Sequence, residues 1–106
     1  MKKIDTVDQF EQLLESREDF YFLKHSLTCP VSASAFNAYQ VFTEKHKTDS
    51  YYLAVQESRP LSNHIAEAFH TKHESPQVFH VKNGQPVWNT SHFKINEKSL
   101  EEEHNK

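Results

Sequence analysis

The chain has 106 residues, enough for one domain with a single core. Only 36% of its residues are apolar, so eight Phe, four Tyr and one Trp must supply much of the core volume. A net charge of −3 without a Lys/Arg cluster argues against a nucleic-acid partner, no segment is long and apolar enough to span a bilayer, and a lone cysteine excludes any disulfide within the chain. Met1-Lys2-Lys3 is followed by Asp5, Asp8 and Glu11, which interrupt any signal-peptide core, so a cytoplasmic location is expected.

Thr6-Val7-Asp8-Gln9 has capping-box spacing, and Val7, Phe10, Leu13 and Leu14 recur at helical steps, predicting a first helix to about Ser16. The aromatic run Phe20-Tyr21-Phe22-Leu23-Lys24 predicts a buried strand, ended by polar His25 and Ser26. A second helix begins at Pro30 and runs to about Lys45, carried by Ala33, Phe36, Tyr39 or Gln40, and Phe42 or Thr43. Tyr51-Tyr52-Leu53-Ala54-Val55 has the low charge of a strand covered on both faces. Arg59-Pro60-Leu61-Ser62 opens a third helix, in which Leu61, Ile65, Ala66, Ala68 and Phe69 can share a face. Two strands joined by a helix predict a right-handed βαβ unit with parallel pairing.

After Pro76, the near-alternating run Gln77 to Lys82 predicts a strand. Asn83-Gly84, containing the only glycine, is a hairpin signal because a two-residue turn of this type needs positive φ at both positions. Gln85 to Asn89 is the returning strand, placed at the sheet edge by Pro86. A short terminal helix over Asn96 to Glu103 would turn Leu100 to the core and fray at its charged end. The expected order is αβαβαββα: an α/β domain with a four-stranded mixed sheet between helices.

The residue with most chemistry is Cys29, in Thr28-Cys29-Pro30-Val31-Ser32. Pro30 suits a first helical position, which puts Cys29 near the N-cap, where free N–H groups and the positive end of the helix dipole favour a thiolate. Ser32 lies three residues on, where its hydroxyl could donate to the sulfur, making Cys-x-x-Ser a dithiol motif with its second sulfur replaced by oxygen. The competing reading is a small buried hydrophobe. His25 could lie close enough to act on the thiol as a cation, or be an exposed loop residue. The eight histidines, His70 and His73 among them, form no legible set of three or four convergent ligands, so no metal site is expected.

Four segments in order, Lys24 to Ser32, Val55 to Asn63, His73 to Gln77 and Asn83 to His92, resemble the bacillithiol-system redox-active proteins, the monothiol bacilliredoxins. The resemblance implies a thioredoxin-like fold with Cys29 as the redox-active thiol and Ser32 where dithiol relatives carry a resolving cysteine. It implies that Pro76 is the cis-proline facing the thiol, and that Thr28, Pro30, Ser75, Pro76 and Ser91 line the place of the bound thiol. In related glutathione-binding folds a helix start after the last strand holds the ligand's carboxylate, a role open here to Thr90 or Ser91 beside His92, with surface capping as the alternative. Bacillithiol would be the co-substrate, with no tightly bound cofactor, bacillithiol-modified proteins the clients, and the protein a monomer. The function implied is removal of bacillithiol from mixed disulfides. The alternative is a noncatalytic interaction or thiolation-sensing module, with Trp88 and Tyr51 or Tyr52 marking a partner surface rather than core.

Overall fold

Thr6 starts the first helix as its capping box predicts: its hydroxyl accepts the Gln9 N–H at 3.1 Å, and Gln9 Oε1 accepts the Thr6 N–H at 3.1 Å. The computed structural model, which describes residues 1–106, continues from there through β2 (Asp19–His25), α2 (Pro30–His46), β3 (Ser50–Ala54), α3 (Arg59–Ala68), β4 (Gln77–Lys82), β5 (Gln85–Ser91) and α4 (Glu97–His104). Helix α1 spans Val7–Ser16, and a 3-10 turn, His92–Lys94, separates β5 from α4.

The sheet has five strands, not four, because Lys2–Lys3 (β1) adds a short parallel strand along β3. Two lysines have no apolar alternation to betray a strand; backbone pairing continues past them, with the Ile4 N–H donating to Tyr52 O at 2.8 Å. The order is β1-β3-β2-β4-β5, with β2 and β3 parallel and the β2–β4 and β4–β5 pairs antiparallel. The βαβ unit and the hairpin at Asn83-Gly84 are therefore as expected, both turn residues having positive φ, and Pro86 lies on the edge strand. Strand β5 extends two residues beyond Asn89, pairing Ser91 with Gln77.

Alternation along β2 divides the core. Phe20 and Phe22 face α1 and α3 with Phe10, Leu53, Ile65 and Phe79; Tyr21 and Leu23 face α2 and α4 with Ala35, Tyr39, Phe42 and Leu100. Each such ring or aliphatic chain contributes about 1.5–3 kcal/mol when fully buried. The inward faces of two helices differ from the expected ones. In α2, Ser32 and Ala35 are buried while Ala33 is exposed; in α3, Ser62 is buried and Ala68 exposed. Polar Ser32 and Ser62 lie inward because buried polar partners, described below, take up their groups. Tyr51 is buried, and Tyr52 and Trp88, partly buried, pack against the second core cluster.

The C-terminal residues form the expected short helix and pack against the sheet. Helix α4 continues through His104, and Glu103 is buried. Its Oε2 lies 2.7 Å from His80 Nδ1, while His80 Nε2 lies 2.7 Å from Asp19 Oδ1. His80 stacks on Tyr21 at 4.2 Å, so an acidic residue is drawn into the structure by a partner far away in sequence.

Candidate functional site

Parallel pairing sends the C-terminal ends of β2 and β3 to one edge of the sheet, where the starts of α2 and α3 also lie. Cys29 is the N-cap of α2, with Pro30 at its first turn, and is a half-buried free thiol. No side chain, the Cys29 thiol included, accepts a hydrogen bond from the first N–H groups of the helix, which leaves that end uncapped. Thr28 and Pro30 on either side are exposed.

Ser32 does not bond to Cys29, contrary to the expectation. Its buried hydroxyl accepts the Ser26 N–H at 2.8 Å and lies 2.9 Å from His25 Nδ1. Burial holds His25 below the ordinary histidine value, partly offset by hydrogen bonding to Ser32. The same burial works against a charged His25 ring. Ser32 and His25 instead fix the backbone approaching Cys29, with the His25 ring against Phe36 at 4.6 Å.

Gln56, two residues past the end of β3, holds the same approach. Its Oε1 accepts the Leu27 N–H at 3.0 Å, and its Nε2 donates to Ser26 Oγ at 2.9 Å and Thr28 Oγ1 at 3.4 Å. An amide just past a strand parallel to the one leading to Cys29 is the signal that could have found it.

The Ser75–Pro76 peptide bond is cis, and Pro76 is buried. Its neighbour Gln77 pairs with Lys24 on β2 and Ser91 on β5, which brings Ser75, Pro76 and Ser91 to the edge that carries Cys29. The Pro76 carbonyl accepts the His92 N–H at 3.0 Å, and Ser75 Oγ is buried with no hydrogen-bond partner. After Ser91 the chain forms only the three-residue 3-10 turn, and the Ser91 side chain caps nothing. The helix start at that point is this 3-10 turn, with Ser91 as its N-cap. A groove of about 320 Å³ lies between Pro30, Val31 and Ala35 of α2 and Phe93 and Ile95, with Phe93 82% exposed.

No three His, Cys, Asp or Glu side chains converge in metal-ligating geometry. Several histidines meet carboxylates instead: His46 with Glu101, His64 with Glu11, His80 with Asp19 and Glu103, and His92 with Glu74. No helix is long and apolar enough to cross a membrane.

A thiol at a helix start after a central strand, with a cis-proline entering the adjacent antiparallel strand, defines a thioredoxin-fold protein; here the arrangement has one sulfur. A solved structure described as having a thioredoxin fold matches with a TM-score of 0.92 and 45% identity, covering 96% of this chain and 91% of that one. The thioredoxin of Fasciola hepatica (TM-score 0.80, 14% identity, 99% of this chain and 97% of that one) shares the fold. So does a mutant of Entamoeba histolytica thioredoxin (TM-score 0.81, 14% identity, 99% and 97%). The family profile of the monothiol bacilliredoxin BrxC matches residues 2–100, and the chain belongs to that family. Family and fold together support a redox role for the protein.

Proposed function

We propose that this protein is a cytoplasmic, monomeric thiol–disulfide exchange enzyme that removes bacillithiol from mixed disulfides on client proteins. The observation that carries the reading is Cys29: a half-buried free thiol at an uncapped helix N-terminus, with no second cysteine in the chain. The dipole at such a position favours a thiolate by about 0.3–1 kcal/mol, more when partly buried. The Cys29 thiolate attacks the bacillithiol sulfur of the mixed disulfide; the client sulfur leaves as a thiolate and takes a proton from solvent. A second, free bacillithiol then attacks the bacillithiol sulfur on Cys29, releasing the thiolate and forming the bacillithiol disulfide. Thr28, Pro30, Ser75, Pro76 and Ser91 surround the place where the small thiol sits, and no tightly bound cofactor takes part.

The test uses a client carrying bacillithiol on one known cysteine, excess free bacillithiol, and release followed by mass. Wild-type protein should accelerate release, and Cys29→Ala should fall to the rate without protein. Equal release by wild type and Cys29→Ala would sink the enzyme reading and favour a thiolation-sensing role.

A further inference from the structure

Lys24 is completely buried on the α1/α3 face of the sheet, one residue from the end of β2. Lysine is rarely buried without a carboxylate, yet its ammonium meets none. Nζ donates to Ser62 O of α3 at 3.0 Å and lies 3.2 Å from His73 Nδ1, which is also 3.2 Å from Ser62 Oγ. Burial pushes Lys24 down to about 8. His73 is held below the ordinary histidine value by burial first, then by the charges of Lys24 and Arg59, with Glu74 opposing. The Lys24 ammonium has only donors, so His73 Nδ1 is its acceptor, with the Ser62 hydroxyl at hydrogen-bond distance from the same nitrogen.

What this contact holds is a specific stretch of backbone. His73 begins the segment His73-Glu74-Ser75-Pro76, which ends on the cis-proline at the Cys29 edge. Gln77 grips the same stretch: its Oε1 accepts the Glu74 N–H at 3.3 Å, and its Nε2 donates to Lys72 O at 3.1 Å. Lys24 and Gln77 are direct cross-strand partners and therefore project to the same face of the sheet. Two neighbouring side chains thus tie one loop down.

We propose that Lys24 is a positioning residue for the exchange reaction, holding His73 against Ser62 so that Ser75 and Pro76 are presented to the incoming mixed disulfide. The proposal rests on the exchange reading of Cys29. It assigns Lys24 to the binding of the substrate and leaves the reactivity of the sulfur to α2, since no contact links Lys24 to Cys29. His73 is then the partner through which it acts.

The experiment compares wild type, Lys24→Met, His73→Leu and His73→Asn in four measurements. These are KM and kcat for release of bacillithiol from the modified client, alkylation of Cys29 by iodoacetamide without client, trypsin cleavage after Lys72 in the folded protein, and the urea unfolding midpoint. Lys24→Met and His73→Leu should raise KM about tenfold, the factor expected for one lost charge-assisted hydrogen bond. Their kcat and alkylation rates should stay within about threefold of wild type, and cleavage after Lys72 should accelerate about fivefold or more without a lower unfolding midpoint in Lys24→Met. His73→Asn restores an acceptor near the position of Nδ1 and should recover most of KM. An unchanged KM, or an alkylation rate that falls together with kcat, would overturn the proposal. Wild-type release no faster than Cys29→Ala would instead remove the exchange reading; unchanged cleavage after Lys72 would then show independently that Lys24 does not fix the segment.

Discussion

Burial of Lys24 makes an unusual dependence of stability on pH. The group falls from its ordinary 10.5 to about 8 in the folded chain, so between those values the unfolded chain holds a proton that the folded one has released. Stability must then rise with pH across that window. At pH 7 the folded protein carries a penalty of about 3 kcal/mol for keeping the ammonium out of water, and by pH 9.5 about 2 kcal/mol of it is relieved. Tyr21 and Tyr39 limit the window from above. Burial raises both, so the unfolded chain loses their protons first above about pH 10 and stability declines again. Urea unfolding of wild type at intervals from pH 7 to 9.5 should therefore show stability increasing. Lys24→Met keeps the length and apolar stem but carries no proton, so it should be at least as stable as wild type at pH 7 and flat over that range. Parallel curves for the two proteins would refute the argument, because the lysine would then feel no net penalty from its surroundings. Combined with a raised KM, a stabilised Lys24→Met would mean that the lysine is kept at the expense of stability.

Ser32→Ala leaves the Ser26 N–H and His25 Nδ1 without their partner and should cost about 1–3 kcal/mol in unfolding measurements while reducing, not abolishing, release of bacillithiol. Because burial lowers both His25 and His73, the unfolded chain binds more protons below about pH 6.5. Stability should therefore fall with acidification, and His25→Gln should lose less than wild type between pH 7 and 5.5. Gln56→Ala should speed hydrogen exchange at the Leu27 amide and destabilise by about 0.5–1.5 kcal/mol, a bond count that an unchanged exchange rate would contradict. His80→Leu removes the Oε2 partner of the buried Glu103 carboxylate, leaving only Lys106 at 3.2 Å from Oε1, and should cost about 1–3 kcal/mol, read as a lower thermal midpoint with α4 the first element to lose exchange protection.

Most of the element order could be read from local signals. The Thr6–Gln9 box, the Pro30 start of α2, the apolar strands and the Asn83-Gly84 turn each act over a few residues, and their chemistry does not depend on what lies across the fold. Strand β1 escaped because Lys2 and Lys3 form a strand only by using the free edge of β3. The inward faces of α2 and α3 include Ser32 and Ser62, which hydrophobic periodicity does not select, because these two meet polar partners, His25 and His73, from other segments. At the site, Cys29 and Pro76 were legible from the residues next to them. The work of Ser32 was not, since its hydroxyl bonds to the Ser26 N–H and to a ring seven residues back rather than to the sulfur three residues away.

By itself, then, the sequence determined that there is one thiol, that it opens a helix after a buried strand, and that it can form no disulfide within the chain. These follow from covalent order and nearest neighbours. Only the tertiary structure decided what surrounds that thiol. Gln56, His25 and Ser32 hold its approach, while Lys24, Ser62, His73 and Gln77 hold the segment that leads to Pro76. Each of those contacts joins side chains whose meeting depends on strand register, and whether a polar group is satisfied or stranded is settled only when the sheet pairs and the water is gone.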